Sequence, residues 1–172
     1  AIEPARPVTL MHFAQNAIRE GRYAEARRWV DSALVFDREF FSARWLRVPL
    51  LVLGGDTSQA RAEVARWRDL PPLRSVAALA EQALALAGLD SAAARQLRAG
   101  MRGTIPPALP AAQAAYGAML LMIASQDPGI VVDMLEAARP RGRFLRYLMA
   151  AVMFDPIRGD PRFQRLFQEA SP

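Results

Sequence analysis

His12 is the only histidine in this chain of 172 residues, and there is no cysteine. A zinc or copper site built on imidazole and thiolate needs several such ligands at short spacing. Neither a His-x-x-x-His pair nor a Cys pair exists to supply them. A phosphate cradle needs a GxxxxGK[ST] or GxGxxG run, and a hydrolase nucleophile elbow needs Gly-x-Ser-x-Gly. The sequence contains none of these. Asp37 and Glu39 come closest to a carboxylate pair, but they fall where a helix ends and water solvates both. The sequence therefore predicts a protein that is not an enzyme and has no bound cofactor or metal.

What remains is cationic chemistry. All 22 basic residues are arginine, and the formal net charge is +5. Arginine in place of lysine is what a GC-rich genome writes by default. It is also the residue whose planar fork grips carboxylate and phosphate bidentately. The densest run is Arg139, Arg141, Arg143 and Arg146, interleaved with Phe144 and Tyr147 and followed by Arg158, Arg162 and Arg165. It reads either as a solvated face with cations at helix ends or as a patch for nucleic-acid phosphates or an acidic partner. No base-reading motif accompanies it.

The elements that must carry these residues are helical. Hydrophobic residues make up 52% of the chain, enough for one domain with a sizeable core. Alanine dominates and no stretch alternates with strand period. Residues 1–6 read as a leader. Thr9 is expected to cap a helix whose inward stripe is Leu10, Phe13, Ala14, Ala17 and Ile18, ended by Gly21. A second helix is expected over about 23–36, with Ala26, Val30, Ala33 and Leu34 inward.

A third helix starts near Phe40, carries Trp45, Val48 and Val52 inward, contains Pro49 and closes at Gly54-Gly55. A fourth, about 57–68, presents Ala60, Val64 and Trp67 and is stopped by Leu70-Pro71-Pro72. Helices over about 75–87 and 91–99 flank Gly88. Residues 101–110 form a connector rich in glycine and proline. Helices follow over 111–125, from Asp127-Pro128 to Ala138, and over 144–153. A last short helix opens at Asp160-Pro161, a cap residue followed by proline at the first helical position. No 20-residue apolar run of membrane-spanning quality is present, and no signal peptide is expected at the start.

The elements repeat. Gly21 and Gly55, Ala26 and Ala60, and Val30 and Val64 are each 34 residues apart. A fixed period of this length marks helix–turn–helix units that bury their faces by stacking on neighbours. Gly21, Tyr23 and Ala26, with Ala33, Leu34 and Asp37, resemble the tetratricopeptide repeat (TPR) family. Gly55, Asp56 and Ala60 match in the second unit, where Thr57 replaces the tyrosine and Trp67 the small alanine. Arg38 stands where the family usually has proline.

The resemblance covers about residues 7–100. It implies an all-α, right-handed α-solenoid of TPR-like helix–turn–helix pairs, with 111–172 as a divergent helical cap. Phe154-Asp155-Pro156-Ile157-Arg158-Gly159-Asp160-Pro161-Arg162-Phe163-Gln164 resembles the C-terminal end of bacterial multidomain regulators that finish in such repeats. That implies a non-catalytic interaction or sensory domain in signalling or transcription regulation, with an output domain upstream.

In such an array the first helices of successive units line a concave groove. The register puts Val8, Met11, His12, Gln15 and Arg19 there from the first unit, and Ser42, Leu46 and Pro49 from the second. The Lys and Asn with which a subset of the family grips a C-terminal carboxylate are missing. The expected partner is a protein or peptide, with an apolar helix or extended segment suiting Met11 and Leu46. An arginine-rich nucleic-acid binder and a small-molecule sensor in the groove are the alternatives.

Overall fold

The computed structural model describes residues 6–86, 119, 122–123, 128–138, 146 and 149–170. These residues are all-helical, with no strand among them, and consecutive helices pack against each other. The helices are α1 (Pro7–Arg19), α2 (Tyr23–Phe36), α3 (Phe41–Leu53), α4 (Thr57–Trp67), α5 (Pro71–Leu86), α6 (Pro128–Ala138) and α7 (Pro161–Glu169). A 3₁₀ turn, Val152–Ile157, precedes α7. Two compact units are formed, Ala1–Ala77 and Ala78–Pro172, divided within α5. No described helix is long and apolar enough to cross a membrane.

In the first unit α1 packs on α2, α2 on α3, and α3 on α4. Gly21 and Gly55 close α1 and α3 with φ of 75° and 78°, the left-handed region that glycine enters without steric cost. Arg22 N and Asp56 N donate back to the carbonyls of Ala17 and Leu51, at 2.8 and 2.9 Å. These residues too are 34 apart, so the sequence period is a period of backbone geometry. An added Cβ at Gly55 would meet nothing within 4 Å. Gly55→Ala is therefore expected to cost only the backbone strain, about 1–2 kcal/mol, read as a drop in melting midpoint with unchanged helix content.

The second step of the array is shorter. α3 starts 34 residues after α1, but α5 starts 30 after α3. α4 has 11 residues against 14 in α2, and the turn after it is one residue shorter. Trp67, completely buried, stands where the first hairpin has Ala33. The same arginine clamp holds the α2–α3 and α4–α5 turns. Arg44 Nε donates to Arg38 O at 2.7 Å, and Arg74 Nε to Arg68 O at 3.0 Å. Each arginine is the fourth residue of its helix.

Several expectations are corrected here. Thr9 does not cap α1: the helix begins at Pro7, with Arg6 extended before it, because proline supplies the first helical φ and needs no donor. Phe13 is 46% exposed, and Met11 takes the buried place expected of it. Pro71 opens α5 rather than only ending α4. The helix expected to reach Met153 has given way by the turn at Ala150 to the 3₁₀ segment. α2 keeps its expected bounds, and so does α6. The helix expected over 91–99, its turn at Gly88 and the 101–110 connector lie outside the described residues.

In the second unit Asp160 caps α7 by accepting from Arg162 N at 2.7 Å, with Pro161 first in the helix. Phe154, Ile157 and Phe163 are each 1% exposed. Phe154 and Phe163 stack with ring centroids 6.1 Å apart. The Phe154–Gln164 stretch is thus an apolar wedge whose polar residues shape its turns.

Candidate functional site

The groove positions divide by burial. Met11, Leu46 and Pro49 are buried. Gln15 and Ser42 are half-buried, and Val8, His12 and Arg19 are exposed. Val8, 54% exposed, is one of the more open large apolar residues described. Two aromatics outside the expected groove set lie on α3. Phe41 and the half-buried Trp45 on α3 are in tilted contact, ring centroids 5.5 Å apart. The 34-residue register could have found Trp45, since it stands over Met11. Further exposed apolar surface lies at the end of α2, where Val35 is 82% and Phe36 58% exposed.

A network of charges, unforeseen from sequence, runs through α2, α3 and α4. Glu63 on α4 is 3% exposed, a buried charged side chain. Its Oε1 accepts from Arg44 Nη1 at 2.8 Å and its Oε2 from Arg47 Nη1 at 3.3 Å. Two guanidinium groups thus hold both oxygens, which is what makes a buried carboxylate tolerable. Arg47 Nε continues to Asp31 Oδ1 on α2 at 3.0 Å. Asp31 lies 3.7 Å from Arg27 Nε, and Arg27 Nη2 reaches Asp56 Oδ2 at 3.5 Å. Arg44 Nη2 reaches Glu39 at 3.2 Å.

The spacing of this network is informative. Arg44, Arg47 and Glu63 stand 34 residues after Leu10, Phe13 and Trp29. Phe13 and Trp29 are themselves in contact, ring centroids 5.3 Å apart. One inter-helix contact is thus built twice, aromatic in the first hairpin and ionic in the second. That overlay is the signal by which sequence could have found the trio: charges at positions where the first unit places apolar side chains.

At the rim of the first hairpin, Trp29 Nε1 and Arg22 both donate to Glu25. The Arg22 hydrogen bond, then that of Trp29, holds the Glu25 carboxyl below its ordinary value. A depressed carboxylate adds stability above its unfolded value and loses it as pH falls through the folded one. Both groups are at the surface, where water screens the contribution.

The basic run is accounted for residue by residue. Arg139, Arg141 and Arg143 lie outside the described residues. Arg146 is exposed, with its guanidinium 5.1 Å from the centre of the Phe167 ring. Arg158, Arg162 and Arg165 are engaged within the fold. Arg158 donates to Asp155 and to the carbonyls of Ala150 and Ala151, tying down the 3₁₀ segment. Arg162 Nη1 donates to Asp133 at 2.8 Å and Glu136 at 3.3 Å, joining α7 to α6. The Asp133 bond raises the Arg162 guanidinium above its ordinary value. Arg165 lies 3.7 Å from Glu136.

Among the described residues no group of three or more His, Cys, Asp or Glu is arranged to hold a metal ion. No family model, curated protein or solved structure matches the chain.

Proposed function

We propose that this chain is a TPR-like α-solenoid that presents a surface to a protein or peptide partner, as the interaction or sensory domain of a bacterial signalling or transcription regulator. One observation carries the repeat reading. The 34-residue period recurs as geometry, in the left-handed glycines, in the hydrogen bonds that close α1 and α3, and in the Phe13–Trp29 and Arg47–Glu63 contacts.

Burial departs from the register on one helix face. Ala43 and Leu50 are buried on α3, which packs against α2, while Thr9 and Asn16, their counterparts on α1, are exposed. That is how neighbouring units of a stacked array differ between a covered and an uncovered face. A scaffold of this kind works by offering side chains on rigid helices, and Val8, His12 and Arg19 on α1 with the Phe41–Trp45 pair on α3 offer apolar and basic groups suited to an extended or helical peptide.

The nucleic-acid alternative draws on arginine, but among the described residues eight arginines (Arg19, Arg22, Arg27, Arg44, Arg47, Arg158, Arg162 and Arg165) lie within ion-pair distance of acidic side chains of the chain itself. Capture separates the two readings. Immobilised chain is exposed to a lysate of its source, with and without nuclease, and eluted by salt. Protein bands that survive nuclease are the expected result. Capture that disappears with nuclease and elutes at modest salt assigns the function to the arginines.

A further inference from the structure

We infer that the Arg44–Glu63–Arg47 trio is a register key, an ionic contact that lets α4 pair only with α3 and so prevents the two hairpins of the first unit from exchanging partners. The inference concerns how this chain assembles and stands apart from what it binds.

The two hairpins are alike at their turns and along the inner stripe that follows, although α4 has 11 residues against 14 in α2. Gly21 and Gly55, Ala26 and Ala60, and Val30 and Val64 are equivalent in position and identical in type, and the four alanines and valines are all buried. A chain with such internal likeness can slip by one unit or swap hairpins between copies, a characteristic failure of repeat proteins. The contact at positions 10, 13 and 29 breaks the likeness when it becomes ionic at 44, 47 and 63. Were α4 to pack on α1, Glu63 would face Leu10 and Phe13, and a carboxylate now 3% exposed would be buried with no cation. Were α2 to pack on α3 in place of α4, Arg44 and Arg47 would meet Trp29 and lose their carboxylate.

The key also reads the preceding hairpin. Arg47 pairs with Asp31 of α2, and Arg44 with Glu39 and the carbonyl of Arg38 in the α2–α3 turn. A buried polar contact retained for specificity rather than stability has precedent in helical assemblies.

The test replaces the key with its own counterpart from the first hairpin, R44L/R47F/E63W, in the whole chain. The expected variant keeps its helix content and melts within a few degrees of the parent or higher. It also shows a second set of amide cross-peaks and a dimer fraction raised severalfold at equal concentration. A folded variant with one set of cross-peaks that stays monomeric overturns the inference. Glu63→Gln, which keeps the shape and removes the charge, decides the matter if the triple variant does not fold. A severalfold rise in dimer is expected. A lower melting midpoint with the chain wholly monomeric would assign the trio to stability alone and overturn the inference.

Discussion

Trp67→Ala is expected to cost the first unit about 3–5 kcal/mol, the range for emptying a fully buried aromatic site. Trp67 is among the largest of the fully buried side chains. It sits at the last residue of the shortened helix α4, where the first hairpin carries Ala33. Its bulk fills space that a longer helix and a small residue occupy one repeat earlier, so alanine here lacks the backbone that makes alanine sufficient at position 33. The melting midpoint should fall by roughly 10 °C, given about 2–4 °C per kcal/mol for chains of this size. Trp45→Ala, at a half-buried site on the neighbouring helix, is the comparison and should lose clearly less. Equal losses would mean that Trp67 is not the packing anchor of α4.

Arg44→Met is the second large effect, about 3 kcal/mol by denaturant titration. It leaves the buried Glu63 with Arg47 alone, at 3.3 Å. The loss is mostly the penalty of a half-paired buried carboxylate, so removing that carboxylate should return part of it. Arg44→Met combined with Glu63→Leu is expected to be more stable than Arg44→Met alone, since Arg47 retains Asp31 at 3.0 Å. Strictly additive losses would contradict this account of the network. The exposed pairs Arg22–Glu20 and Arg158–Asp155 have no comparable effect to give, because water screens them and side-chain entropy opposes them.

The helices were most legible where glycine and periodicity agreed. α2 starts and stops where the Gly21 turn and its inward stripe place it, because the left-handed glycine sets the entry and Ala26, Val30 and Ala33 define one buried face. Proline misleads at Pro71, since it ends one helix and begins the next equally well. At α1 the cap expected at Thr9 hides the true start at Pro7. Phe13 was assigned inward by its spacing, but it stands on a face of α1 whose other members, Thr9 and Asn16, are exposed. The charged trio was invisible to a reading that sends every arginine to solvent. Single helices do not reveal it, and only the overlay of two hairpins shows charge in a core position.

The candidate surface was legible in part for the same reason. Periodicity separates the two faces of a helix but not the exposed part of a face from the part its neighbour covers. Val8 and His12 are open while Met11, beside them, is 3% exposed.

The central claim is that the open face of α1 and α3 carries a protein partner. The most direct measurement repeats the capture with V8E/H12E, which alters only exposed side chains of α1, and with A62E on the exposed side of α4 as control. The account predicts that the nuclease-resistant bands held by the parent and by A62E are lost from V8E/H12E, with all three chains equally folded. Bands retained by V8E/H12E and lost from A62E would place the partner on another face and contradict it.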